Sequence, residues 1–293
     1  MEKPEDLRRE ESKATDKSSA QHKRAPMHQG KIEDIMNREI ITITPENTLY
    51  EAAQLMGEKR IGSLIVMKYD TPVGIITERD LLNVVSDGVR LEKDWIGGNV
   101  SIREEKVEKV MSFPIIKICR ESTMKEAARR MIENRIRRLA VCDSGKLVGK
   151  ITASHMIRNL PQVPETVKIW SEVDYFMTKH VITADEQMLL ENVATIMAEK
   201  RVGSVIVTRQ GEPIGIFTER DLLTNFLAKD KSLVEEVGNA CSSPLITAPI
   251  GITVRDAAVI MTAKSIKRLL ITKNGKLVGI LSARDLIEAY ARG

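Results

Sequence analysis

One stretch of sequence decides the fold, and it occurs twice. Residues 74–82 read GIITERDLL, and residues 215–223 read GIFTERDLL. The segments before them also match, with EKRIGSLIV at 58–66 and EKRVGSVIV at 199–207. A constant offset aligns both pairs without a gap. The chain therefore contains an internal repeat, which is the sequence signature of an architecture built from copies of one unit.

A second pair of repeats alternates with the first. Residues 145–149 and 275–279 both read GKLVG, and Arg137-Arg138 aligns with Lys267-Arg268. Units 1 and 3 are thus sisters, as are units 2 and 4, which indicates that a two-unit ancestor was duplicated whole. The predicted boundaries are 1–30 for an N-terminal tail, 31–86 for unit 1, 105–160 for unit 2, 171–227 for unit 3 and 236–293 for unit 4.

Each unit has a pattern typical of a β-α-β-β-α fold. The first helix has apolar residues at positions i, i+3, i+4 and i+7, which lie on one helical face. In the four units these positions are Leu49, Ala52, Ala53 and Met56; Met124, Ala127, Ala128 and Met131; Leu190, Val193, Ala194 and Met197; and Val254, Ala257, Ala258 and Met261. A unit of about 55 residues is too small to bury a convincing core alone, so the units must pair.

Composition is that of a soluble globular protein. Of 293 residues, 42% are hydrophobic and 29% are charged, and no apolar run reaches the roughly 18 residues that would span a bilayer. The net charge of +4 is mild for a protein that depends on phosphate-backbone contacts. The tail is rich in charged residues and is predicted to be disordered. We expect a cytoplasmic protein with no membrane association.

The residues for catalysis are scarce. Of the four histidines, His22 and His28 lie in the tail, which leaves His155 and His180 for acid–base work. The three cysteines form no CxxC pair, and no His, Cys and Asp cluster has the spacing of a metal site. The sequence therefore predicts a protein that is not an enzyme, with no catalytic residue, no metal site and no required cofactor.

The end of each unit carries the element Gly-hydrophobic-x-Thr/Ser-x-x-Asp. Its copies are 74–80, 149–155, 215–221 and 279–285. On these elements the repeat resembles the CBS domain, a nucleotide-sensing unit that occurs in pairs called Bateman modules, and the resemblance covers about 31–293. It implies an α+β fold of four CBS repeats paired into two Bateman modules. The modules would form a disc-like single-chain pseudo-dimer, as in archaeal four-CBS proteins and the gamma subunit of AMP-activated protein kinase.

The resemblance also implies a set of ligand-binding residues, because CBS domains bind adenosine-containing ligands in clefts between paired units. It assigns Asp80, Asp221 and Asp285 to the ribose; Thr77, Thr152, Thr218 and Ser282 to phosphate or ribose; Arg137, Arg138, Lys267 and Arg268 to phosphate; and Ile75, Ile216 and Ile280 to adenine through side chain and backbone.

The residue chemistry fits this assignment but has simpler alternatives. A hydroxyl at a helix N-cap favours an anion, and a carboxylate accepts hydrogen bonds from both ribose hydroxyls. However, Thr-x-x-Asp is also a helix capping box that needs no ligand. The basic pairs are equally consistent with a solvated strand edge. Gly62-Ser63 and Gly203-Ser204 are better interpreted as close packing between units than as a phosphate loop.

Unit 2 departs from the pattern, because His155 stands where its sisters have aspartate. A neutral imidazole accepts only one hydrogen bond, and a protonated one accepts none. We therefore expect the cleft of unit 2 to be empty, weak or used by a different ligand.

The sequence favours a signal-transduction protein that senses an adenine nucleotide (AMP, ADP or ATP). Ligand binding would shift the arrangement of the two modules, which an unidentified protein partner would read. One alternative ligand is S-adenosylmethionine. Another alternative is a scaffold that is purely structural or binds nucleic acid, for which the basic dipeptides are the argument. The formation of a homodimer is left open.

Overall fold

The computed structural model describes residues 30–90, 100–160 and 172–292. These residues fold into four repeats, each with its own three-stranded sheet, and each in the predicted order β-α-β-β-α. The predicted α+β class is confirmed. The disorder predicted for the tail concerns residues that, apart from Gly30, lie outside the described ranges. Within those ranges no helix is both long and apolar enough to cross a bilayer.

The first half of the chain contains units 1 and 2. A short helix, α1, precedes the first strand of unit 1, and two more, α4 and α5, precede the first strand of unit 2. The elements are α1 (Ile32–Ile35), β1 (Thr42–Ile43), α2 (Leu49–Glu58), β2 (Ser63–Lys68), β3 (Thr71–Thr77), α3 (Glu78–Arg90), α4 (Val100–Glu104), α5 (Val107–Val110), β4 (Lys117–Cys119), α6 (Met124–Glu133), β5 (Arg138–Asp143), β6 (Lys146–Thr152) and α7 (Ala153–Asn159).

The second half repeats this arrangement as units 3 and 4. The last helix of unit 3 begins as α9, continues as a π-helical turn and ends as a 3-10 turn. The elements are a 3-10 turn (Val173–Tyr175), β7 (Thr183–Asp185), α8 (Leu190–Glu199), β8 (Ser204–Arg209), β9 (Glu212–Thr218), α9 (Glu219–Asp221), the π turn (Leu222–Phe226), the 3-10 turn (Leu227–Lys229), α10 (Val237–Ala240), β10 (Thr247–Pro249), α11 (Val254–Ala263), β11 (Arg268–Lys273), β12 (Lys276–Ser282) and α12 (Ala283–Arg292).

All four sheets have the same topology. The first strand is parallel to the second, and the second pairs with the third in an antiparallel hairpin. In unit 4 the hairpin turns at Asn274 and Gly275, whose φ angles are 52° and 77°. Asparagine and glycine tolerate this left-handed backbone better than other residues, which is why this pair marks a tight hairpin.

The predicted apolar faces of the first helices are buried. In α2 the side chains of Leu49, Ala52, Ala53 and Met56 are fully inaccessible, and the corresponding faces of α6, α8 and α11 are at most 5% exposed. Burial of a large aliphatic side chain stabilises the fold by about 1.5–3 kcal/mol. The helical periodicity therefore located the core-facing positions correctly.

The two large cores join sister units. One core combines Met56 and Leu82 of unit 1 with Met197 and Phe217 of unit 3, and there α3 packs on α8. The other combines units 2 and 4 in the same way, with α12 packed on α6. Units 1 and 2, which form the first module, meet in a smaller cluster around Ile65, Ile115 and Ala140. Helices thus hold the two modules together, while strands face one another within the first module.

The segment before the first strand of each unit, here called its lead-in segment, pairs with the other unit of the same module. Asn37, ahead of unit 1's first strand, bridges to Lys150 of unit 2, while Ser112, ahead of unit 2's first strand, bridges to Ile75 of unit 1. The second module repeats the exchange with Thr178 and Ser242, which bridge to Ile280 and Ile216 respectively. This exchange ties the two units of a module together through backbone hydrogen bonds.

Candidate functional site

Three carboxylates occupy matching positions at the start of the last helix in units 1, 3 and 4. The Oδ2 atom of Asp80 accepts hydrogen bonds of 2.8 Å from both the backbone N–H and the Oγ1 hydroxyl of Thr77. Asp221 and Thr218 repeat this arrangement at 2.9 and 2.7 Å. The capping alternative is therefore realised, and in both units these two bonds go to Oδ2.

The three carboxylates are half-buried, which sets their electrostatics. Burial raises the pKa of Asp80, against the hydrogen bonds from Thr77 and the nearby charge of Arg138. Burial likewise raises the pKa of Asp221, against Thr218 and Arg268. Asp80 and Asp221 thus each lie within electrostatic reach of an arginine from the other unit of the same module. A partly desolvated carboxylate is a strong acceptor for ligand hydroxyls.

The third pair lies in unit 4, where serine takes the place of threonine. Asp285 accepts a 2.6 Å hydrogen bond from the backbone N–H of Ser282, and burial raises its pKa. In unit 2, Thr152 still caps its helix by accepting from the backbone N–H of His155 at 3.2 Å. Unit 2 keeps the hydroxyl but has no carboxylate at this position.

The three isoleucines predicted to contact adenine lie at the edge of their sheets. Their backbone groups are engaged by the lead-in segments: Ile75 donates to the carbonyl of Ser112 at 3.1 Å and accepts from its N–H at 2.9 Å. Ile216 and Ile280 make the same pair of bonds with Ser242 and Thr178. The half-buried side chains therefore remain as the part of these residues that a ligand would touch.

Two buried glutamates, which the sequence reasoning did not single out, lie where all four units meet. Glu78 of unit 1 is 5% exposed. It pairs with Arg220 of unit 3 and lies 3.7 Å from Arg138 of unit 2. Burial acts to raise the pKa of Glu78, but Lys267 of unit 4, Arg220 and Arg138 lower it overall. One carboxylate thus balances a cation from each of the other three units.

Glu219 of unit 3 is the counterpart. It is 3% exposed and pairs with Arg79 of unit 1 at 2.8 Å and with Arg137 of unit 2 at 3.1 Å. Burial acts to raise the pKa of Glu219. The charges of Arg137, Arg79 and Arg268 of unit 4 outweigh this effect and lower the pKa to about 2. Arg137 and Arg138 therefore pair with buried carboxylates rather than forming a solvated strand edge. Lys267, which is exposed, and Arg268 act on the same carboxylates electrostatically.

The close packing predicted at Gly62-Ser63 and Gly203-Ser204 occurs beside the two buried glutamates. A Cβ atom added to Gly62 would lie 2.5 Å from Oε2 of Glu78 and 2.8 Å from Nη2 of Arg138. Gly203 has the same relation to Glu219 and Arg268. The missing side chains leave room for the ion pairs between units.

The cluster borders a cavity of about 480 Å³. Its charged lining consists of Arg60, Arg137, Arg138, Lys150, Arg158, Arg220, Lys267, Arg268 and Arg284 against Glu78 and Glu219. Burial, followed by repulsion from neighbouring cations, lowers the pKa of Arg138 to about 10. Burial also lowers the pKa of Lys267 to about 8. The cavity therefore has a large excess of positive charge and is suited to an anion.

Comparison with known proteins identifies the repeat. The sequence profile of the CBS domain matches four segments, 32–87, 107–162, 170–228 and 234–292. The chain belongs to the CBS domain family. This agrees with the resemblance seen in the four Gly-x-x-Thr/Ser elements.

The CBS chain has relatives among archaeal proteins. MJ1225 of Methanocaldococcus jannaschii, described as a proposed archaeal homologue of g-AMPK, superposes with a TM-score of 0.75 at 20% identity, over 89% of this chain and 100% of that one. In sequence MJ1225 is 28% identical over 67% of this chain and 69% of its own length. MK0525 of Methanopyrus kandleri is 34% identical over 46% of this chain, and MJ1404 of M. jannaschii is 24% identical over 89%. The chain covers 65% and 62% of these last two relatives, respectively.

The CBS units themselves contain a signal that could have revealed the two glutamates. When all four elements are aligned, Glu78 and Glu219 fall at the position that Ala153 and Ala283 occupy in the even units. A buried glutamate is rare without a partner, and the basic pairs of the even units supply partners in matching number. Among the described residues, no group of three or more His, Cys, Asp or Glu side chains is placed to hold a metal ion.

Proposed function

We propose that this CBS protein is a non-catalytic regulatory protein that senses adenosine-containing ligands, with AMP, ADP and ATP as the leading candidates. The observation that carries the proposal is the placement of a desolvated carboxylate near a cation-lined cavity. Asp80 lies within electrostatic reach of Arg138, and Asp221 of Arg268, while both arginines line the cavity. A ribose monophosphate needs these two kinds of group close together.

The proposed contacts follow from the side-chain chemistry. Asp80, Asp221 and Asp285 would accept hydrogen bonds from the ribose hydroxyls. Thr77, Thr218 and Ser282 would add a hydroxyl or a backbone N–H, and Thr152 would do so in unit 2. The basic pairs would neutralise phosphate, and the half-buried Ile75, Ile216 and Ile280 would pack against adenine.

The central cluster suggests how binding reaches a partner. A phosphate group in the cavity would compete with Glu78 and Glu219 for the same cations. Each glutamate joins units from both modules. If phosphate weakened the ion pairs of Glu78 and Glu219, the relative stability of the possible arrangements of the two modules would change. A ligand shifts such an equilibrium only by its difference in affinity for the two states. The partner protein would bind one of these arrangements.

The location of Arg137 and Arg138 weighs against nucleic-acid binding. The side chain of Arg138 is 14% exposed and that of Arg137 is 30% exposed, and both pair with buried glutamates. A duplex or a long single strand needs cations on an open surface. A small anionic ligand is the better match for cations that line a cavity.

The proposal is tested by thermal unfolding with AMP, ADP, ATP and S-adenosylmethionine. A ligand at 100 times its Kd adds about 2.7 kcal/mol per site, which corresponds to an increase in Tm of roughly 5–10 °C for a chain of this size. Substituting Asp80→Ala, Asp221→Ala and Asp285→Ala together should abolish the shift, measured from the variant's own Tm.

A matched control separates ligand binding from helix capping. Asp256 accepts a 2.7 Å hydrogen bond from Thr253 Oγ1 at the start of α11, so Asp256→Ala removes a similar cap outside the clefts. This variant should keep the full ligand shift. No shift with any nucleotide, or a shift that survives the triple substitution, would overturn the proposal. A shift with S-adenosylmethionine alone would replace the nucleotide with that ligand.

A further inference from the structure

Unit 2 differs from the other three units at two positions on one side of the cavity. Lys150 occupies the position of Ile75, Ile216 and Ile280, and His155 occupies the position of the three aspartates. An apolar and an acidic residue are thus replaced by a lysine and an imidazole. The capping hydroxyl of Thr152 is retained, so the helix begins as in the other units. The side chains at the two positions are nitrogen bases instead of apolar and acidic groups.

Burial of a lysine at position 150 is energetically unfavourable. It is 6% exposed, and its Nζ atom lies 3.3 Å from the backbone carbonyl of Ser63 in unit 1. Burial, followed by the charge of Arg138, lowers the pKa of Lys150 to about 8. One hydrogen bond to a neutral carbonyl offsets only part of the cost of burying an ammonium group. A role as a simple tether between units does not explain why isoleucine was replaced.

His155 lies beside this lysine on the cavity wall, together with Thr152, Ser154 and Arg158. The Nδ1 atom of His155 is buried and has no hydrogen-bond partner among the described residues. Burial and the charges of Arg158 and Lys150 lower the pKa of its imidazole. An anion at this wall would accept hydrogen bonds from Lys150 and Arg158 and would neutralise part of their positive charge.

We propose that the unit 2 wall of the cavity, formed by Arg138, Lys150, Thr152, Ser154, His155 and Arg158, binds a phosphate-class oxyanion and makes no contact with a nucleoside. The wall offers cations and hydroxyls, and unit 2 has neither the isoleucine nor the aspartate found at the matching positions of the other three units. The phosphate is either a free inorganic anion or the tail of a nucleotide held in a neighbouring cleft. Only the second source depends on the function proposed above.

Isothermal titration with inorganic pyrophosphate, in the absence of nucleotide and at about 0.15 M salt, tests the site. The variant Lys150→Ile with His155→Asp restores the residues of the sister units and should weaken pyrophosphate binding at least tenfold. Lys146→Thr removes an exposed lysine from the same strand and introduces its counterpart from unit 1. This control should change the affinity less than twofold. Lys150→Met provides a second variant, should the double substitution impair folding.

Two further measurements locate the anion and its source. In NMR spectra, the imidazole signal that is lost on His155→Asp should shift when pyrophosphate is added. Binding of pyrophosphate alone identifies a free anion, and it should persist when Asp80, Asp221 and Asp285 are replaced. If pyrophosphate does not bind but the double variant loses tenfold in ATP affinity while AMP affinity is unchanged, the anion is a nucleotide tail. The proposal fails if the double variant alters neither pyrophosphate nor ATP binding.

Discussion

The odd and even units differ at two positions that meet in the centre of the molecule. Units 1 and 3 have Gly62 and Gly203 where unit 2 has Arg137, and they have Glu78 and Glu219 where the even units have alanine. At these two positions, odd units thus supply space and negative charge, and even units supply positive charge. Each difference would be unfavourable alone, because it would bury an unpaired charge, but the two differences compensate each other.

This comparison shows that two kinds of contact organise the repeat. Apolar packing joins like units, since the large cores combine unit 1 with unit 3 and unit 2 with unit 4. Charge pairing joins each odd unit to its sister and to both even units, because each glutamate lies near a cation from each of the other three units. The duplication of a two-unit ancestor explains both, since it provided two copies of each complementary partner.

The largest effect should follow from removing one of the two negative charges. Glu219→Gln leaves Arg79, Arg137 and Arg268 with an unbalanced charge in a buried site, and should lower the free energy of unfolding by about 3–5 kcal/mol. Urea denaturation measures this loss. Glu186→Gln is the control, because Glu186 pairs with Arg209, whose side chain is 63% exposed, and the change should cost less than about 1 kcal/mol.

The same variant gives a signature in pH. The pKa of Glu219 is lowered to about 2 from 4.5, so its stabilisation is fully present above pH 4.5 and is lost as the pH falls through 2. The difference in stability between wild type and Glu219→Gln should therefore shrink over this window. A difference independent of pH would show that the carboxylate does not carry the effect.

A smaller effect should follow from filling the space that an odd unit leaves. Gly62→Ala places a methyl group against Glu78 and Arg138 and should destabilise the protein by about 1–3 kcal/mol through displacement of the ion pair. Gly30→Ala is the control, because no atom lies within 4 Å of the added Cβ. Equal stability of the two variants would contradict the proposed complementarity.

The smallest effect concerns the even-unit cations. Lys267 is partly protonated near pH 8, because burial lowers its pKa to about 8. A phosphate-bearing ligand in the cavity would raise this pKa, so that binding of ATP at pH 8 should take up a fraction of a proton. Isothermal titration in Tris and in HEPES measures the uptake from the difference in heat. Lys267→Met should reduce it, and an uptake unchanged by that substitution would place the phosphate elsewhere.

Several features were predictable from local sequence. The helix faces and the caps at Thr77 and Thr218 depend on residues a few positions apart, and both features were predicted correctly. The two glutamates were missed, since Glu78 and Arg220 are separated by 142 residues and no local rule connects them. The exchange of lead-in segments between units was missed for the same reason.

By itself, the sequence determined the number of units, their internal fold and the positions of the three Thr/Ser–Asp pairs, because periodicity and local capping are short-range properties of the chain. Tertiary structure alone decided which units share a core, which cations meet Glu78 and Glu219, and that Lys150 and His155 line the same cavity. Burial and long-range charge pairing depend on how distant segments pack. No local pattern in the sequence specifies that packing.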